Sequence, residues 1–165
     1  MYRRMKQPKT VICVKTSSQM KTASLIMKIM KEDIPQGYQA VSVDFQQANK
    51  DAFTSSERLL QWFCTEITSK LKLTNTLAEF WQGVIPGNMK CTNYFREYLL
   101  AEIQTPLVLV LYNVEFILEH QAIANNFFGL LRSWKHNRRN EDTLKKLRLV
   151  IVHSKDIRTD PPFNV

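Results

Sequence analysis

Four short stretches of the chain are rich in β-branched and aliphatic residues: Thr10–Lys15, Gln39–Phe45, Pro106–Val114 and Leu147–His153. The third (PLVLVLYNV) and fourth (LRLVIVH) are nearly continuous apolar runs. Such runs suit strands covered on both faces, as in a parallel sheet between helices.

The stretches between them have helical period. Thr54-Ser-Ser-Glu57 has the form of a capping box, with Thr54 as the cap and Glu57 reaching back. Behind it, Leu59, Leu60, Phe63, Ile67 and Leu71 fall on one helical face. Tyr94, Phe95, Tyr98, Leu99 and Ile103 repeat the pattern until Pro106 stops it, and Ile123, Phe127, Leu130, Leu131 and Trp134 form the cleanest stripe. Ser24–Met30 reads as a helix following the first strand, and Gly83–Asn88 (GVIPGN) is a turn-rich link. Alternating strands and helices of this kind predict an α/β fold with a parallel sheet and right-handed crossovers.

Composition leaves that picture intact. With 165 residues, 44% apolar and 23% charged, the chain is long enough for one domain with a real core. No apolar run approaches the length of a membrane span, and Thr10–Val14 is too short for the core of a signal peptide, so a cytoplasmic protein is expected. Cys13, Cys64 and Cys91 are odd in number and far apart, which fits small buried hydrophobes better than a disulfide framework or a zinc site. The net charge of +8 raises nucleic acid as a partner, through counterion release. The cations concentrate in only two places, Arg3, Arg4, Lys6 and Lys9, and the run from Lys135 and Arg138 through Lys146 and Arg148.

In an open parallel sheet, ligands bind beyond the carboxyl ends of the strands. Thr16–Leu25 follows the first strand and leads into a helix, the usual seat of a phosphate. Its hydroxyls at Ser17, Ser18, Thr22 and Ser24 suit capping of that helix, which needs one hydroxyl and no ligand, better than phosphate binding. Tyr112-Asn113-Val114-Glu115 follows the third strand and His153-Ser154 the fourth. His153, Ser154 and Asp156 have the residue types of a catalytic triad, but neighbours on a strand point to opposite faces, so no catalytic residue is assigned. His120, His136 and His153 lack metal-ligand spacing, so no metal site is assigned either.

Ser18-Gln19-Met20, Trp62-Phe63, Phe80-Trp81, Tyr94–Leu100, Pro106–Leu109, Phe127–Trp134, Lys146–Val150, Val152–Ser154 and Pro162–Val165 carry a resemblance to the AAA-like domain family of signalling-type P-loop ATPases. The likeness spans residues 10–165, behind a basic tail at 1–9. It implies a three-layer α/β/α P-loop NTPase-like fold with a parallel sheet of about four strands. It also implies that the chain is the N-terminal half of the family domain, incomplete at the C-terminal end, where a fifth strand would follow.

The resemblance also locates two losses. The family's phosphate loop looks like R-Q-M-G-K-[ST]-S-L, whose glycine closes on the phosphates, whose lysine reaches them and whose hydroxyl binds Mg²⁺. Aligning Leu25 with the family leucine puts Lys21 on the glycine, Thr22 on the lysine and Ala23 on the hydroxyl; shifting by one restores Lys21-Thr22 but sets Met20 on the glycine. The family's L-V-L-x-L-D-E-V-D segment here has Tyr112 and Asn113 in place of its two carboxylates, with Glu115 at the later acidic position. The resemblance therefore implies a degenerate, non-catalytic module, either a regulatory or protein-interaction domain or a truncated remnant, with Lys21 and Thr22 as a vestigial nucleotide loop and no required cofactor, ATP and Mg²⁺ entering only if the altered loop still binds. The expected partner is a protein covering the exposed sheet edge. The alternatives are an ATP-binding signalling NTPase with an atypical loop, and a basic nucleic-acid-binding protein. Expressed alone, residues 1–165 are expected to dissolve poorly or self-associate, because the missing strand leaves an edge and some apolar surface uncovered.

Overall fold

The computed structural model describes residues 2–8, 11–17, 19–136 and 143–154. Its framework is a four-stranded, all-parallel sheet of β1 (Val11–Lys15), β2 (Gln39–Asp44), β3 (Leu107–Tyr112) and β4 (Leu147–His153), in the order β1-β4-β3-β2. The four segments predicted from apolar runs are these four strands. Two end earlier than predicted: Phe45 starts a 3₁₀ turn instead of closing β2, and β3 stops at Tyr112 because Asn113 takes a left-handed backbone. Register is continuous across the sheet, with Val11 opposite Leu149, Leu149 opposite Leu109 and Leu109 opposite Val41.

Strand alternation sends two sets of side chains to opposite faces. Val41, Val43, Leu107, Leu109, Leu111, Leu147, Leu149 and Ile151 belong to the larger core, whereas Ile12, Val108, Val110, Val150 and Val152 belong to the smaller one. The smaller face is covered by α1 (Tyr2–Met5) and by α2 (Gln19–Lys28), which runs on into a π-helical turn at Ile29–Asp33. The larger face is covered chiefly by α3 (Ser56–Lys70), by α5 (Gly87–Tyr94) with its π-helical continuation Phe95–Leu99, and by α8 (Gln121–His136). Short helices α4 (Leu77–Phe80), α6 (Leu100–Glu102) and α7 (Glu115–Leu118) complete the connections. The result is the expected three-layer α/β/α sandwich.

The apolar stripes read from the sequence are the buried faces. Leu59, Leu60, Phe63 and Ile67 of α3 and Ile123, Phe127, Leu130, Leu131 and Trp134 of α8 are all buried. Phe45, Phe63 and Phe127 pack together at centroid separations of 5.2 to 6.1 Å, fixing the end of β2 against α3 and α8.

The capping of α3 differs from the expectation. Ser55, not Thr54, is the N-cap: its backbone is extended and its hydroxyl accepts from Arg58 N–H at 3.1 Å. Thr54 instead closes the 3₁₀ turn Lys50–Phe53 as its C-cap, and its hydroxyl donates to Asp51 O at 2.6 Å. A preceding turn that already holds Thr54 in helical geometry moves the cap one residue on.

The basic N-terminal stretch is anchored rather than trailing. Met5 is fully buried in the smaller core, Arg4 donates to Val11 O at 3.1 Å, and Arg148 of β4 donates through Nε to Met5 O at 2.6 Å.

Candidate functional site

Thr16, Asp44, Asn113 and Ser154 lie at the carboxyl ends of β1, β2, β3 and β4, where ligands bind in sheets of this kind. A cleft of about 470 Å³ opens there between α2 and the ends of β2 and β3. Thr22, Ile26, Asp44, Gln46, Tyr112 and Asn113 line it.

The two residues assigned to a vestigial nucleotide loop separate. Both stand in the first turn of α2, directly after the β1 loop. Thr22 is 5% exposed and faces the strand end, its hydroxyl 2.8 Å from that of Thr16. Lys21 is exposed, and among the described residues the cleft lining includes Thr22 but not Lys21. Helical geometry separates neighbours by about 100°, so consecutive residues cannot share one face.

Asp44 is the carboxylate of this cleft, and it is not among the residues singled out above, which stand after the first, third and fourth strands. The rule about strand ends applies equally to Asp44-Phe45-Gln46, after the second, and is the signal that points to it. Its Oδ1 accepts from Gln46 N–H at 2.9 Å and from the Asn113 side-chain amide at 2.7 Å. Asn113 has φ of +56°, a conformation that asparagine adopts more readily than most residues. This backbone reversal ends β3 and turns the Asn113 amide toward β2.

Burial, and secondarily the neighbouring Asp44 charge, pushes the Tyr112 phenol above its ordinary value, so the side chain is neutral throughout the physiological range. On the far side of Asn113, Glu115 Oε1 accepts both the backbone N–H of Ser154 at 2.5 Å and its hydroxyl at 2.9 Å. The later acidic position thus ties β4 to the start of α7. Of the three triad residue types, His153 is buried, Ser154 is bound to Glu115, and Asp156 lies outside the described residues. Among the described residues, no three His, Cys, Asp or Glu side chains come close enough together to hold a metal ion.

The second basic concentration is partly internal. Arg148 is 4% exposed, and Lys146 donates to Leu100 O and Ile103 O at 3.0 and 3.1 Å, closing the end of α6. Both side chains are used in holding the fold together. Lys9 and Arg138, members of the two groups, lie outside the described residues.

Among solved structures, the cytoplasmic domain of the type VII secretion ATPase EccC of Thermomonospora curvata aligns over 97% of this chain and 18% of its own, at 13% identity and a TM-score of 0.40. This chain therefore spans less than a fifth of that one. No curated protein matches. Among the described residues, no helix is long and apolar enough to cross a membrane. The family model of the AAA-like domain matches residues 1–165, and the chain belongs to the AAA-like domain family.

Proposed function

We propose that this chain is a degenerate, non-catalytic AAA-like module that acts in the cytoplasm through protein contacts. The observation that carries this reading is the way the polar groups at the carboxyl ends of the strands bind one another. Asp44 holds the amide of Asn113, Thr22 meets Thr16, and Glu115 holds Ser154. A magnesium-bound triphosphate needs the opposite, namely carboxylate and hydroxyl oxygens aimed at a cation and backbone N–H groups aimed at phosphate. Neutral Tyr112 at the metal-ligand position and Met20 or Lys21 at the glycine position support the same conclusion. The donor set does not fit the magnesium–nucleotide group of the family.

The protein partner is proposed to lie along β1. This strand pairs with β4 on one side and is an edge of the sheet among the described residues. A sheet edge is where a partner can add a strand, and here that strand would have to displace Arg4 from Val11 O. On this reading the isolated chain self-associates, which sedimentation at increasing protein concentration would register as a rising mean mass. A monodisperse, cooperatively unfolding monomer would count against it.

A second reading has one observation in its favour: Lys21 stands in the first turn of a ten-residue helix that follows β1, where an anion is stabilised by free N–H groups. Titration with a fluorescent ATP analogue and Mg²⁺ separates the two. A non-catalytic module without nucleotide shows no saturable binding at millimolar ligand. Saturable binding lost in Lys21→Ala would establish the second reading instead. The third reading, nucleic-acid binding, loses support with Arg148 and Lys146 engaged internally, and predicts an affinity that falls steeply with salt.

A further inference from the structure

We infer that Cys64 and Cys91 form a site of reversible oxidation, closing to an intramolecular disulfide that staples α3 to α5. The two are 27 residues apart in sequence, yet their sulfurs are 3.6 Å apart and both side chains are fully buried. None of the three cysteines is bridged in this structure. A disulfide needs about 2.05 Å between sulfurs, so closure requires an approach of about 1.5 Å, within the reach of cysteine side-chain rotation and a small helix shift.

The two helices are held in the alignment that closure needs. One turn beyond Cys64, Thr68 Oγ1 lies 2.6 Å from the hydroxyl of Tyr94, three residues beyond Cys91. The Thr68 hydroxyl spends its own hydrogen on Cys64 O at 2.7 Å, so Tyr94 is the donor in that pair. Two successive rungs, Cys64–Cys91 and Thr68–Tyr94, therefore connect the same two helices, and the second keeps the sulfurs facing each other.

The oxidant is a small hydroperoxide, which fits a close-packed interior better than a bulky disulfide reagent. One thiol sulfur attacks the peroxide, the O–O bond breaks, and a sulfenic acid and water (or an alcohol) result. The second sulfur then attacks the sulfenic sulfur. An S–S bond forms, the S–O bond breaks, and the hydroxyl leaves as water with the second thiol's proton. The first step is slow, because burial holds Cys64 well above the ordinary thiol range and the thiolate is the reactive form. The second is fast, because the partners already touch. In a reducing compartment the resting state is the dithiol, which makes the bridge a response to oxidant.

The test uses Cys13→Ser protein, which removes the third, partly exposed thiol and leaves the core pair. The folded protein is treated with hydrogen peroxide, quenched with catalase, unfolded, and its thiols are counted. The expected count falls from two to none and returns to two with dithiothreitol. Trypsin without reductant should then release residues 59–70 joined to residues 91–96, two hydrogens lighter than their sum. Thiols that stay countable, a loss that dithiothreitol does not reverse, or a bridge between two molecules would each overturn the proposal. The same holds if the bridged form unfolds at no higher a urea concentration than the dithiol form.

Discussion

The side-chain amide of Asn113 donates to Oδ1 of Asp44 at 2.7 Å, joining the carboxyl ends of β3 and β2 across the mouth of the cleft. The contact depends on the left-handed backbone of Asn113, φ +56°. Two costs are therefore separable by substitution. Asn113→Ala loses the bond and keeps the backbone penalty, for a loss of about 1–2 kcal/mol. Asn113→Gly loses the bond but relieves the backbone, so it should fall between alanine and the parent. Asn113→Val adds a β-branched side chain where φ is positive and should be the least stable of the three. Urea unfolding gives the order directly; glycine below alanine would show that the backbone there is not under strain.

The same carboxylate affects the neighbouring phenol. Tyr112 is raised by burial first and by the Asp44 charge second; Tyr94 is raised chiefly by burial. For an acid whose folded value lies above its unfolded one, the neutral form is favoured by folding. The associated stability is complete below the ordinary tyrosine value of about 10 and is lost as pH rises through the folded value. Tyr112 and Tyr94 are expected to ionise late in an alkaline absorbance titration. Asp44→Asn should bring one of them, Tyr112, toward the ordinary value and leave the other in place. A titration unchanged by Asp44→Asn would mean that burial alone raises Tyr112.

These two residues also mark where the sequence was readable and where it was not. The strands were legible because Pro106–Val114 and Leu147–His153 are apolar on both faces, and α8 because its stripe has the helical period over about three turns. Tyr112 and Asn113 could be located at a ligand-binding strand end from their position alone. That Asn113 turns left-handed and bonds to β2 could not, since a contact 69 residues distant leaves no periodic trace. Arg148 counts with the basic concentration in the sequence for a related reason: the Met5 carbonyl that helps to bury it comes from the docked N-terminal segment, 143 residues away.

Gly129 lies inside α8, where a glycine costs helix stability by its freedom in the unfolded chain. A methyl group built there would meet only the Arg132 guanidinium, at 3.6 Å, an ordinary contact. Gly129→Ala should therefore stabilise the fold by about 0.5–1 kcal/mol, seen as a higher melting temperature. Gly83 is the contrasting case. Space is open around it too, but its φ of +81° strains any side chain. Gly83→Ala should destabilise by about 1 kcal/mol. If both changes act in the same direction, local space rather than backbone conformation governs these sites.

Arg148 is a buried cation whose described partners are backbone carbonyls and the Tyr38 ring, 5.7 Å from its guanidinium carbon. Nε reaches Met5 O, and Nη1 reaches Lys145 O and Leu147 O. Burial lowers its basicity, the Tyr38 contact opposing, but an arginine stays charged at any ordinary pH. Lysine would keep the charge and lose the fork that serves several carbonyls, so Arg148→Lys should cost about 1–3 kcal/mol in urea unfolding. Methionine fills similar volume without a buried charge, so Arg148→Met should be the milder of the two. Both, however, remove the donor that holds Met5 O. Trypsin should then cut at Arg3, Arg4 and Lys6 faster in both variants than in the parent, even where Arg148→Met barely changes the unfolding midpoint. If Arg148→Met is cut no faster, the burial of Met5 and the Arg4 contact to Val11 O suffice to dock the N-terminal helix, and Arg148 serves β4 alone.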